Sequence, residues 1–118
     1  MAKMCVLLLA DTATPEAMGR MANALTTVME CDEAGDDVVL IFDGAATRWV
    51  GELSRSDHKY HAAFQQIRYR LRAVCSYCAN AYGVADQIRA AGLPLSNEFR
   101  GHPSIRTLVN AGYTVLSF

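Results

Sequence analysis

Apolar positions along this chain come in two alternating forms: short unbroken runs, and longer stretches in which they recur every three or four residues. Residues 4–10 are a continuous apolar run, which suits a strand buried on both faces of a parallel sheet. Thr14-Pro15-Glu16 then reads as a helix start, with Thr14 as N-cap and Pro15 at the first helical position. Met18, Met21, Leu25, Val28 and Met29 follow at helical spacing, and Gly35 is a natural stop. Residues 38–42, flanked by Asp37 and Asp43, form a second buried strand.

The small-residue loop Gly44-Ala45-Ala46 leads into a short helix predicted over 47–53. After a break at 54–57, Ser56 or Asp57 caps a helix whose Tyr60, Phe64, Ile67 and Leu71 share one face. Residues 73–75 are a third, very short strand, followed by a helix over 78–91 with Val84 and Ile88 inward. Gly92 and Pro94 end that helix, and Leu95 with its neighbours forms a fourth strand. His102-Pro103-Ser104 opens the last helix, with Ile105, Leu108 and Val109 inward and Gly112 as stop, and residues 113–118 close the chain as a strand.

Strand and helix therefore alternate to the end, with no internal repeat, linker or low-complexity segment. The pattern predicts an α/β fold: a single domain over 1–118, built as a three-layer α/β/α sandwich around a mostly parallel sheet of about five strands. At 118 residues, 52% of them apolar, the chain has the length and composition of one globular core. Its 11 basic and 12 acidic residues nearly cancel, which leaves no electrostatic footprint for nucleic acid or an anionic membrane. No apolar run approaches the ~18–20 residues of a membrane helix. The N-terminal run is short and meets Asp11 without a small-residue cleavage site, so it reads as the first strand rather than a signal peptide. Four cysteines without a signal peptide then point to a reducing, cytoplasmic setting.

Ligands of open α/β sheets bind beyond the carboxyl ends of the strands. Those ends carry Asp11-Thr12, Asp43-Gly44-Ala45, Cys75-Ser76 and Asn97-Glu98-Phe99. Cys75 is the one strong nucleophile among them, and a cysteine ahead of a helix is stabilised as thiolate by the unpaired N–H groups there. Cys78, three residues on, is a relay or resolving thiol, the second half of a dithiol, or a buried small residue. A thioredoxin fold is disfavoured, because its C-x-x-C follows the first parallel strand of the core and this one follows the third. His58, His61, Cys75 and Cys78 together could hold zinc, but their spacing fits no finger-like pattern, and neither metal nor cofactor is assigned. Thr12, Asp43, Gly44 and Trp49 are the predicted pocket lining, and His102 reads as a helix cap with access to the site. Cys5 and Cys31 read as packing residues.

In its order of motifs the chain resembles the DsrE/DsrF-like family of small α/β proteins. The likeness rests on the strand Val6-Leu7-Leu8-Leu9, the strand ending Phe42-Asp43-Gly44 with Thr47 and Trp49 after it, and Cys75 followed by Ala79 and Gly83. It extends to Gly101-His102-Pro103-Ser104 and from Gly112-Tyr113 to Phe118. The resemblance implies a helix-sandwiched parallel sheet and assembly into homo- or hetero-oligomers, a trimer or hexamer ahead of a dimer. It also implies sulfur relay, in which Cys75 takes up sulfane sulfur as a persulfide and passes it to an acceptor protein; Cys78 lies outside that pattern. Two other uses stay open: a thiol–disulfide redox protein using Cys75 and Cys78, and a non-catalytic oligomeric binding protein of the same fold.

Overall fold

The computed structural model describes residues 1–118. Five strands, β1 (Lys3–Leu8), β2 (Asp37–Phe42), β3 (Leu71–Cys75), β4 (Leu95–Ser96) and β5 (Thr114–Ser117), form one sheet in which every pairing is parallel. Six α-helices connect them: α1 (Pro15–Glu33), α2 (Trp49–Ser54), α3 (His61–Ile67), α4 (Ser76–Ala81), α5 (Ala85–Ala90) and α6 (Ile105–Asn110). The α/β sandwich expected from the alternating pattern is the fold observed. No helix is long and apolar enough to cross a membrane.

The strand order is β4-β3-β2-β1-β5. From β1 to β4 the chain steps always toward the same edge. Right-handed crossovers in one direction place their helices on one face. Accordingly Met21, Leu25 and Val28 of α1, Val50 and Leu53 of α2, Phe64 and Ile67 of α3 and Ile88 of α5 share one core with Val6, Leu8, Leu40, Phe42 and Val74. The step from β4 to β5 runs the other way, across the whole sheet. Its helix, α6, therefore lies on the opposite face, where Leu108 packs with Cys5, Ile41 and Ala73. The three layers are thus unequal, with one helix alone on the second side.

Thr14 caps α1 as expected, its side chain accepting from the Ala17 amide at 3.1 Å, with Pro15 behind it. Three elements differ from the sequence-based expectation. The helix expected from Ser56 or Asp57 begins only at His61, because Arg55 pairs with Glu52 and Asp57 and the backbone turns through 55–60. It stops at Ile67, and Leu71 starts β3 instead of ending a helix face. The helix expected over 78–91 is two helices, α4 and α5. Gly83 takes φ +73°, and the Val84 amide donates to the Ala79 carbonyl at 2.8 Å, closing a Schellman-type stop. In α6, Val109 points outward at 53% exposure, leaving Leu108 as the buried anchor.

Candidate functional site

β3 delivers Cys75 to its carboxyl end, fully buried, as the N-cap of α4. The Cys75 sulfur accepts from the Cys78 amide at 3.4 Å, in the way a serine or aspartate caps a helix. β2, the neighbouring strand, is followed directly by Asp43, which caps a 3₁₀ turn over Gly44–Arg48 by accepting from the Gly44 amide at 2.8 Å. Gly44 takes φ +56°, and its amide also faces the Cys78 sulfur.

The third contributor comes from the segment that carries the chain from β4 to α6. Phe99 and His102 exchange both backbone hydrogen bonds at 2.8 Å, around Arg100 at φ +49° and Gly101 at φ +88°. Two consecutive positive φ values in a two-residue loop define a type I′ turn. A side chain on Gly101 would stand 3.1 Å from the Tyr77 Cβ, while the Tyr77 amide donates to the Gly101 carbonyl at 2.8 Å. Glu98 fastens the base of the segment by accepting from the Ser96 hydroxyl and the Ser104 amide. Ser104 caps α6 through the Thr107 amide, so the capping role expected of His102 belongs to Ser104. His102 is instead turned onto the thiol. Its Nδ1 lies 3.2 Å from the Cys75 Sγ, and its ring packs against Tyr77 in a tilted arrangement, centroids 4.9 Å apart.

Asp43, Cys75, Cys78 and His102 each bring one donor atom into a cluster whose members all lie within 4.8 Å of one another. Of the residues expected at the site, Cys75, Cys78, Asp43 and Gly44 meet there. Thr12 does not: it bonds to Asp11 and lines a separate cleft with Arg48 and Gln87. Trp49 is a core residue rather than a pocket wall, its ring buried and its Nε1–H donated to the Ala10 carbonyl at 3.0 Å. His58 and His61 are engaged elsewhere, with the Tyr60 amide and the Leu53 carbonyl.

The electrostatics reverse one expectation. Burial pushes the Cys75 thiol up to about 12; the Cys78 amide opposes this and the Asp43 carboxylate reinforces it. A helix of six residues cannot offset that desolvation. Burial raises Cys78 as well. The resting site therefore holds protonated thiols beside a carboxylate and an imidazole. A cleft of about 540 Å³ lined by Ser76, Tyr77, Asn80, Ala81, Asn97 and Gly101 opens next to it. Two other hollows near Gln65 and Arg68, of about 430 and 610 Å³, are lined by no cysteine or histidine.

No family model matches the chain. The uncharacterized protein MJ0733 of Methanocaldococcus jannaschii is 29% identical over 96 residues, spanning 81% of this chain and 78% of that protein. Among solved structures, a conserved protein of unknown function, BT1422 from Bacteroides thetaiotaomicron, superposes with a TM-score of 0.64 at 16% identity, over 97% of this chain and 94% of that one. That likeness shows the fold alone.

Proposed function

We propose that this chain is a DsrE/DsrF-like sulfur-relay protein of the cytoplasm that carries sulfane sulfur on Cys75. The observation behind this reading is the 3.2 Å approach of His102 Nδ1 to the Cys75 sulfur. A buried thiol that is protonated at rest needs a base within hydrogen-bond reach when it attacks. His102 takes the proton as the Cys75 sulfur attacks the outer sulfur of a donor such as thiosulfate. The donor S–S bond breaks, sulfite leaves with its electron pair, and Cys75 retains the sulfur as a persulfide. The Cys78 amide faces the sulfur that becomes charged. Transfer to an acceptor thiol is a second exchange of the same kind. Handing sulfur on fits an assembled state, and the reading includes a homo-oligomer, trimer or hexamer, to be measured by sedimentation.

Incubating the reduced protein with thiosulfate or polysulfide should add one sulfur atom to the peptide that holds Cys75, seen by mass spectrometry. Cys75→Ser should abolish the adduct, and His102→Ala should slow its formation at least ~100-fold, the usual contribution of a positioned base. If no adduct forms on Cys75 with either donor, the relay reading falls. The second reading, a dithiol couple, is favoured by the proximity of the two sulfurs within the cluster. It requires a reversible Cys75–Cys78 disulfide with a measurable midpoint.

A further inference from the structure

The sulfur-relay reading uses two of the four clustered groups and leaves Asp43 and Cys78 without a task. Their chemistry suggests a different ligand. Two thiols, a carboxylate and an imidazole nitrogen converge from the end of β2, the β3–α4 junction and the type I′ turn. All four donor atoms lie within 4.8 Å of one another. A tetrahedral zinc ion binds sulfur at ~2.3 Å and nitrogen or oxygen at ~2.0–2.1 Å, which sets its ligand atoms about 3.3–3.8 Å apart. One pair is already at 3.2 Å, and no other pair has to close by more than about 1.5 Å, which side-chain rotations can supply.

Charge points the same way. The six ion pairs of the molecule engage other residues, and Asp43 belongs to none of them. Ionised, the cluster would hold a carboxylate and two thiolates with no arginine or lysine to balance them. A divalent cation supplies that balance, and sulfur ligands select a thiophilic one over magnesium or calcium. The C-x-x-C spacing of Cys75 and Cys78 is itself the chelating spacing of zinc sites. The donors are also held in place beforehand. Asp43 is oriented by the Gly44 amide, His102 by its packing against Tyr77, and Cys75 by the Cys78 amide.

We propose that Asp43, Cys75, Cys78 and His102 form a binding site for one divalent cation of the zinc type. Binding releases both thiol protons and forms two metal–sulfur bonds, one metal–nitrogen bond and one metal–oxygen bond, with no change of oxidation state. This stands on the ligand geometry and does not rest on sulfur relay. The two uses exclude each other at the Cys75 sulfur, so a metal-loaded site accepts no sulfur.

The test is an anaerobic titration of the reduced, chelator-treated full chain with Co²⁺, followed by Zn²⁺. Expected are one equivalent bound, strong visible bands of tetrahedral cobalt, a thiolate-to-cobalt charge-transfer band in the near ultraviolet, and displacement by zinc. Cys78→Ser, Asp43→Asn and His102→Ala should each weaken binding by at least the ~10–100-fold that even outer-shell partners contribute. His58→Ala should leave the titration unchanged. A weak octahedral spectrum, no charge-transfer band, or a signal that survives Cys78→Ser would overturn the site. Sulfur loading is measured separately on metal-free protein. A Cys75 persulfide without the cobalt signature sinks the metal site and leaves the relay standing, and the converse result sinks the relay alone.

Discussion

Gly101 decides where His102 goes. At its φ of +88° a side chain would be strained, and a Cβ 3.1 Å from Tyr77 would force that neighbour to yield. Gly101→Ala should lower the unfolding free energy by about 1–2 kcal/mol, the cost of a left-handed backbone for an L-residue, read from urea denaturation. If Cys75 carries sulfur as proposed, the same variant should also slow its loading, since it displaces His102. Arg100, at φ +49°, occupies a position where asparagine is preferred. Arg100→Asn should raise stability by up to ~1 kcal/mol in the same assay. Cys75, Asp43 and Gly44 were legible in the sequence because polar and small residues end buried strands there. Of His102 only its access to the site was legible, not its contact with the thiol. That contact depends on two consecutive positive φ values, and an arginine in that conformation leaves no signal in the chain. Trp49 was misplaced for a related reason: an aromatic after a strand-end loop suits a pocket or a core equally, and the Ala10 carbonyl that receives its N–H is visible only in three dimensions.

At the scale of elements, the end of α1 is clamped to the entry of β3. Asp32 accepts hydrogen bonds from the Tyr69 hydroxyl and from Arg70 Nε at 2.8 Å. The Tyr69 bond first, then the Arg70 bond, holds the Asp32 carboxyl below the usual carboxylate range. A depressed carboxyl contributes stability that is complete above its unfolded value, ~3.9, and is lost as pH falls through the folded one. Asp32→Asn should therefore destabilise the protein at neutral pH, and the difference from the parent should shrink below about pH 4, as followed by circular dichroism. Helix existence was readable from periodicity and the start of α1 from Thr14-Pro15, whereas the ends of α3 and the break between α4 and α5 were not. Gly83 sits inside an apolar pattern that continues through Val84 and Ile88, so the pattern joins α4 to α5 while the backbone separates them. The shortness of α4 is what lets burial, rather than a helix terminus, govern Cys75.

For the whole molecule, the alternation of strand and helix announced a parallel sheet, but the distribution of helices between its faces follows from strand order. That order is set by which edges pair, and no local pattern records it. Because α6 alone covers the second face, Leu108 carries that layer. Leu108→Ala should cost ~2–5 kcal/mol, while Val109→Ala, one residue along and exposed, should stay within ~0.5 kcal/mol, both by chemical denaturation. The segment that crosses the sheet to place α6 is also the one that presents His102 to Cys75. The cover over Cys75 is therefore a long-range one: His102 stands 27 residues further along the chain, and Gly101 beside it closes on the same sulfur. Solvent access to this thiol thus reports whether the face-switching segment is docked, and local opening of that segment uncovers the thiol without unfolding the sheet.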